Sequence, residues 1–452
     1  MSRDSGHLTT LPTGAGRVAL SLPGEGRLAS SEPIASGYIE RELLMIGEAT
    51  LYTGAATSPA IPTPRRHQYV TRIIGRFPVD PTLFSGRVFV EPFNTTRGGV
   101  DHDRVWRQIM PLVVSQGDGW VGVTVRPSAA DALKNFDPDR YADLSMPVND
   151  VEWDILRHVG RQLKSDGPSL LGGPAQRLYL TGYSQSGVDT ATFAMAFHGI
   201  TVLPTGSPVY DGYLPSAHSG TLAAVSIGAA RLLPPFEHVP MTAVPVPVVD
   251  LESQTDVEGV TVVLDDQTEF RSTGGAYVRR PDSDASTDLY RLYEVAGAAH
   301  IQRDPECTSS SSFPTDHFVR AAAQRLIRWA ELGEVPPREP RIELSVLDEI
   351  SEAEGDDFGN ARGGVRSPYV DIPLSRYRVR SDPGSGGLYM LVGDEVPFSR
   401  DQAIDRYGDL HTYIRQFTAS LDAAIEAGSL LRLDRDELLA DQSRRARNIF
   451  GE

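Results

Sequence analysis

The stretch Arg177-Leu-Tyr-Leu-Thr-Gly-Tyr-Ser-Gln-Ser-Gly187 runs from an apolar, strand-like segment into a cluster of small residues and continues as the helical-looking Val188 to Phe197. A serine at a tight strand-to-helix turn has its hydroxyl lifted clear of the sheet, and that turn admits only small residues two positions to either side. Gly182 and Ser186 meet this need around Ser184, and Gly187 follows at once. The usual pattern has glycine at both flanks, so Ser186 is a departure, although by another small residue. Ser184 is the candidate nucleophile.

Partners for such a serine follow it in the order acid, then histidine, each at the end of a later strand. Pro245-Val-Pro-Val-Val-Asp-Leu251 reads as a short buried strand that continues into Glu252-Ser-Gln-Thr-Asp256, and Leu289-Tyr-Arg-Leu-Tyr-Glu-Val295 reads as another, with Ala296-Gly-Ala-Ala-His300 turning off its end. His300 is the candidate base, able to take the serine proton and return it to a leaving group. Two carboxylates compete to orient it. Asp256 is favoured over Glu252, because a residue on the loop can fold back towards a neighbouring loop while one still on the strand points as the pleat dictates. Asp265 and Asp266 are weaker candidates. The competing structural role for Asp256 is a helix or turn cap.

The same chemistry needs backbone donors aimed at a developing oxyanion. Gln185 follows the nucleophile and opens a helix, where the dipole also favours negative charge. A second donor is expected in the loop Pro92-Phe-Asn-Thr-Thr96 after the strand Gly86 to Glu91. Pro92 has no N–H, which leaves Phe93 or Asn94.

Together these pieces resemble the α/β-hydrolase superfamily and, more closely, a bacterial group of hydrolases of about this length. The resemblance rests on Val90-Glu-Pro-Phe-Asn94, Gly182-Tyr-Ser-Gln-Ser-Gly187, Glu294-Val-Ala-Gly-Ala-Ala-His300 and Gly359-Asn-Ala-Arg-Gly-Gly-Val-Arg-Ser-Pro368, and spans most of the chain from about residue 37 onward. It implies an α/β-hydrolase fold: a mostly parallel central sheet flanked by helices, with a cap insertion and a C-terminal extension. It further implies a serine hydrolase of the carboxylesterase kind that uses Ser184, Asp256 and His300 on a small ester without any cofactor. A lactonase, an amidase, an acyltransferase or a non-catalytic ligand-binding relative shares the same pattern, since this fold hosts many activities.

Composition agrees. The 452 residues carry a formal net charge of −17, which argues against nucleic acid or an anionic membrane surface as partner. One cysteine, Cys307, leaves no intrachain disulfide and fits a reducing compartment. The N-terminus lacks a basic start followed by an apolar run, and no stretch of about eighteen apolar residues exists. A cytoplasmic location is the expectation. The group Asp101-His-Asp103 could offer ligands, but adjacent residues point apart and no H-x-x-x-H or cysteine pair joins them, so no metal site is expected.

Along the chain, residues 1–36 are rich in Gly, Ser, Pro and Thr and read as a tail or draped segment. A hydrolase domain is expected over 37–335, with a cap at about 216–244 whose Leu232-Leu-Pro-Pro-Phe236 could line a pocket. An extension is expected over 336–452, beginning at Pro336-Pro-Arg-Glu-Pro340. Strands are expected over Tyr38–Tyr52, Gln68–Phe77, Trp120–Val125, Val209–Leu214 and Arg341–Val346. Amphipathic helices are expected over Val105–Ser115, Asp150–Leu163 and Phe313–Leu332, with helical material over Asp405–Leu430 and Leu431–Phe450. The glycine-rich segment Asp356 to Ser367, with Arg362 and Arg366, lacks a P-loop signature and reads as a structural loop. The cluster Arg444-Arg-Ala-Arg447 reads as a solvated face.

Overall fold

Alternating polar and apolar residues give way, from Val88 onward, to short unbroken apolar runs, the pattern of strands covered on both faces. The computed structural model describes residues 7–10, 37–96, 98–165, 174–226, 238–263, 269–272, 274–301, 311–347, 350–380 and 391–452. Two compact units divide it, Met1–Val248 with Ser283–Tyr290, and Val249–Asp282 with Arg291–Glu452.

In the first unit the strands are β1 (His7–Thr10), β2 (Tyr38–Thr53), β3 (Ile61–Pro78), β4 (Arg87–Pro92), β5 (Gly119–Val123), β6 (Arg177–Tyr183) and β7 (Gly212–Ser216), in spatial order β1-β2-β3-β5-β4-β6-β7. The first three pair antiparallel, and β3 joins β5 in the same sense. From β5 through β4 and β6 to β7 every pairing is parallel. Such pairing needs crossover helices. They are α1 (Arg104–Gln116), α2 (Pro127–Phe136), α3 (Glu152–Ser165) and α4 (Gln185–Thr192). Within the tail, His7–Thr10 is a strand against Leu43–Ile46. Strand β7 begins at Gly212, later than the sequence suggests, and the buried Tyr210 before it donates its hydroxyl to the Leu156 carbonyl at 2.7 Å.

Two buried arginines tie the antiparallel part to the loop after β4. Arg72 pairs with Asp101 at 2.7 Å and Glu42 at 3.3 Å, while Arg76 pairs with Asp103 at 3.0 Å and Glu40 at 2.8 Å. Arg76 also lies over the rings of Trp106 and Trp120. Asp101 and Asp103 are therefore committed to structural ion pairs.

The second unit holds β8 (Val248–Ser253, whose first residue counts with the first unit) beside β12 (Asp288–Val295), with the turn α5 (Gln254–Val257) between them in sequence. The hairpin β9 (Val260–Val263) with β10 (Glu269–Ser272) follows α5 in this unit, whereas β11 (Ser283–Ala285) and the start of β12 with which it pairs, Asp288–Tyr290, count with the first unit. The long helix α6 (Thr315–Leu332) comes next and ends at Gly333, whose φ of 68° is the left-handed cap a glycine supplies. Beyond Pro336 lie hairpins β13 (Leu344–Leu347) with β14 (Ile350–Ala353), and β15 (Ser375–Arg378) with β16 (Asp394–Pro397). The helices there are α7 (Pro368–Asp371), α8 (Arg400–Tyr407), α9 (Leu410–Glu426) and α10 (Arg435–Phe450). Helix α6 is bound to this last part by a buried Arg320–Asp434 ion pair and by Arg325 donating to Ser429 Oγ at 3.1 Å.

Candidate active site

Ser184 sits between β6 and α4 with φ 61° and ψ −123°, a backbone that non-glycine residues rarely adopt. Strain of this kind persists only where surroundings over-determine it. Three features here do so. A Cβ on Gly182 would collide with the Ser186 carbonyl, and one on Gly187 would collide with the Ser216 carbonyl of β7, so both positions demand glycine. The Ser184 N–H is held by Ser216 O at 2.9 Å. Ser186, the departure from the usual glycine, is fully buried; its Oγ accepts the Tyr183 N–H at 3.0 Å and donates to the Tyr183 carbonyl at 3.1 Å. The hydroxyl staples the turn across Ser184. Serine therefore does here what a bare glycine cannot.

The loop after β4 is fixed from below by Glu91. Its buried carboxylate accepts N–H groups from Val105 at 2.8 Å and Trp106 at 2.9 Å, at the start of α1, and the Trp120 indole N–H at 3.0 Å. Burial nevertheless pushes its carboxyl up to about 8. Neither amide proposed from sequence as the second oxyanion donor is free. The Phe93 N–H extends the sheet to Val123 O at 2.9 Å, and the Asn94 N–H bonds His102 O at 3.1 Å. The Asn94 side chain is spent too, donating to Tyr183 O at 2.9 Å and accepting from Thr96 N at 2.9 Å. Asn94 is thus a brace between loop and elbow, a turn-stabilising role. One residue further on, the Thr95 N–H and hydroxyl converge on the Gln185 side-chain oxygen at 2.7 and 3.0 Å. The sequence alone does not point to Thr95, because which N–H groups the sheet consumes depends on its register.

In the second unit, His300 Nδ1 stands 2.7 Å from Asp256 Oδ1, with the two side chains 9% and 2% exposed. Asp256 also caps α5: its Oδ2 accepts from Ser253 Oγ at 2.5 Å and Ser253 N at 3.2 Å, while Ser253 Oγ accepts the Asp256 N–H at 3.3 Å. The capping role and the contact with histidine coexist, one carboxylate oxygen serving each. Glu252 is buried at the end of β8. Asp265, Asp266, Cys307 and the Leu232–Phe236 segment lie outside the described residues.

A family model described as "Alpha/beta hydrolase domain" matches residues 10–440. The chain belongs to this α/β-hydrolase family. Its mostly parallel sheet with flanking helices is the fold that membership carries. Solved structures similar to this hydrolase include a Klebsiella pneumoniae protein provisionally described as a dienelactone hydrolase, at 14% identity over 64% of this chain and 98% of that one, TM-score 0.33. An α/β serine hydrolase without lid from Xanthomonas campestris is similar at 15% identity over 46% and 71%, TM-score 0.25. A thermostable esterase from Pseudomonas putida is similar at 13% identity over 48% and 65%, TM-score 0.25. Scores this low say nothing of what this hydrolase acts on. No curated protein matches it.

The remaining polar clusters of this hydrolase that the sequence singled out are structural. Arg362 pairs with Glu343 and Glu354, and Arg366 with Asp356 and Asp371, so the glycine-rich loop holds its own cations and presents no anion cradle. Arg445 is not part of a solvated face: it bonds Glu395 at 2.8 Å and Ser375 Oγ at 3.1 Å across the β15–β16 hairpin. No described helix is long and apolar enough to cross a membrane.

Proposed function

We propose that this α/β hydrolase cleaves a small carboxylic ester through an acyl-enzyme, with Ser184 as nucleophile, His300 as its base and Asp256 as the residue that orients His300. The observation that carries the reading is the strained backbone of Ser184 at a strand-to-helix turn whose flanking glycines admit no side chain. The His300–Asp256 contact supports Asp256 over Glu252 as the acid. With Nδ1–H donated to Asp256, the other ring nitrogen, Nε2, is left as the acceptor. It takes the proton of Ser184 as Oγ attacks the carbonyl carbon, and gives it to the departing alcohol; water then repeats the cycle on the acyl-enzyme. The N–H of Gln185, first amide of α4, is one oxyanion donor. Thr95 supplies the other once an oxyanion displaces the Gln185 side-chain oxygen that its N–H and hydroxyl now share. No step of this chemistry needs a metal or cofactor.

The test is intact-mass analysis after exposure to a fluorophosphonate probe. One adduct on the wild type that is lost in Ser184→Ala supports the reading and opens a screen of esters, lactones and amides graded by acyl size. A folded wild-type protein that takes no adduct overturns it.

A further inference from the structure

The histidine loop is held in place by residues that no catalytic pattern includes. Thr255, on α5 and 3% exposed, accepts the main-chain N–H of His300 on its Oγ at 3.1 Å, and donates the same hydroxyl to the carbonyl of Val379 at 2.8 Å. A hydroxyl with one donor and two acceptor sites is suited to this, giving its proton one way and a lone pair the other. The preceding residue reinforces the link. Gln254 N–H reaches Ala298 O at 3.0 Å, and its side-chain oxygen accepts from Gly297 N at 2.8 Å. On the far side of the histidine, Ile301 N–H bonds Leu391 O at 2.9 Å and Gly393 N–H returns to Ile301 O at 3.3 Å. Val379 and Leu391–Gly393 lie between the two strands of the hairpin β15–β16, which Arg445 of α10 staples at Ser375 and Glu395.

We propose that Thr255 is the positioning residue for His300, the point at which the acid turn, the histidine loop and the C-terminal hairpin are joined by one hydroxyl. The proposal rests on the triad reading above. Asp256 fixes the imidazole by its ring, and the neighbouring Thr255 fixes the same residue by its main chain. Two attachments on consecutive residues of α5 restrain the histidine at its main chain and at its ring. The C-terminal region thereby belongs to the catalytic apparatus. A misplacement of about 1 Å at a catalytic group costs roughly a hundredfold in rate, so a broken attachment should be visible in turnover before it is visible in folding.

The experiment compares fluorophosphonate inactivation kinetics and thermal melting for full-length wild type, Thr255→Val, Thr255→Ser and His300→Ala. The expected result is a kinact for Thr255→Val lower by about a hundredfold at unchanged KI, with Tm lowered by the few degrees that two orphaned buried groups cost, and both restored by Thr255→Ser, kinact to within about threefold. A cap of structural value alone would lower Tm and leave kinact untouched. If Thr255→Val does not fold, Thr255→Ala, which removes the hydroxyl without adding bulk, is read for the same loss. Wild-type kinact in Thr255→Val or Thr255→Ala, with His300→Ala inert, overturns the positioning role and leaves the triad standing. Wild-type labelling of His300→Ala overturns the triad, and this inference with it.

Discussion

One oxygen of Asp256 meets His300 Nδ1 at 2.7 Å while the other receives the hydroxyl of Ser253 at 2.5 Å. The carboxylate cannot swing to present a different face to the imidazole without giving up its cap on α5. A short loop thereby obtains the rigidity that catalytic positioning normally draws from a strand or a long helix. The residues that supply it are contiguous, Ser253 to Asp256, and each points to a different partner: Ser253 to Asp256, Gln254 to Gly297, Thr255 to the His300 main chain, Asp256 to its ring.

Replacing the proposed orienting carboxylate separates the two acids. Asp256→Asn keeps an oxygen for Ser253 and the shape of the turn but presents the wrong tautomeric partner to His300. Turnover of an ester should fall by roughly four orders of magnitude with little change in Tm. Glu252→Gln should change turnover by less than about threefold. Steady-state kinetics on a substrate from the ester screen decides it, and equal losses in both variants would remove Asp256 from its role.

At the elbow, Ser186→Gly converts the turn to the more usual pattern and deletes both hydrogen bonds to Tyr183. We expect a loss of stability of about 1–2 kcal/mol, from those bonds and from added backbone freedom, with the fluorophosphonate adduct still formed. Gly182→Ala is far worse, because its Cβ meets the Ser186 carbonyl, which is backbone and cannot move aside. Chemical denaturation of the two variants should rank them in that order. An unaffected Gly182→Ala would mean that the turn is looser than its geometry requires.

Much of this was legible in the chain. The G-x-S-x-S-G run carries its own turn chemistry, and the apolar run ending at His300 announces a strand with a loop beyond it, since both signals are local. What failed depends on register or on distant partners. Phe93 and Asn94 are equivalent to Thr95 as donors until β4 is paired with β5 and the loop is closed on His102, after which only Thr95 faces Gln185. Arg445 looks solvated on a helix read alone, and becomes a staple only when the hairpin from 375 to 397 is laid against it. The S-x-x-D spacing of Ser253 and Asp256 did announce a capping box. Thr255 inside it gave no signal, because its two partners lie about 45 and 124 residues away.

Arg126 is a guanidinium set between two buried carboxylates, Glu152 at the start of α3 and Asp189 on the elbow helix α4. Desolvation, with the neighbouring Asp189 adding to it and Arg126 opposing it, raises the Glu152 carboxyl well above its ordinary 4.5. A folded-state value raised above the unfolded one means that the stabilisation is complete below pH about 4.5 and is lost as pH climbs towards the folded value. Glu152→Gln removes that titration while keeping a donor for Asp189. The difference in Tm between variant and wild type should therefore move in the variant's favour from pH 5 to pH 9. Parallel melting curves across that range would show that Glu152 is ionised throughout.

Ending the chain at Val335 tests whether the last quarter is separable. The cut removes Asp434, the carboxylate that the Arg320 guanidinium of α6 meets in the full chain. It also strips Arg291 and Tyr293 of the Pro336 and Pro337 carbonyls, removes Val365 from beside Glu294 and Ala296, and takes away Val379 and Leu391 from the histidine loop. The losses fall on α6, on β12 and the turn that follows it, and, through Thr255, on α5. The truncated chain should melt without a cooperative transition and take no fluorophosphonate adduct. By contrast, Arg445→Ala cuts only the staple at the far end of the same path, and should keep the fold while lowering kinact by less than Thr255→Val does. A truncated chain that labels at the wild-type rate would make the C-terminal region a passenger and detach it from the role proposed for His300.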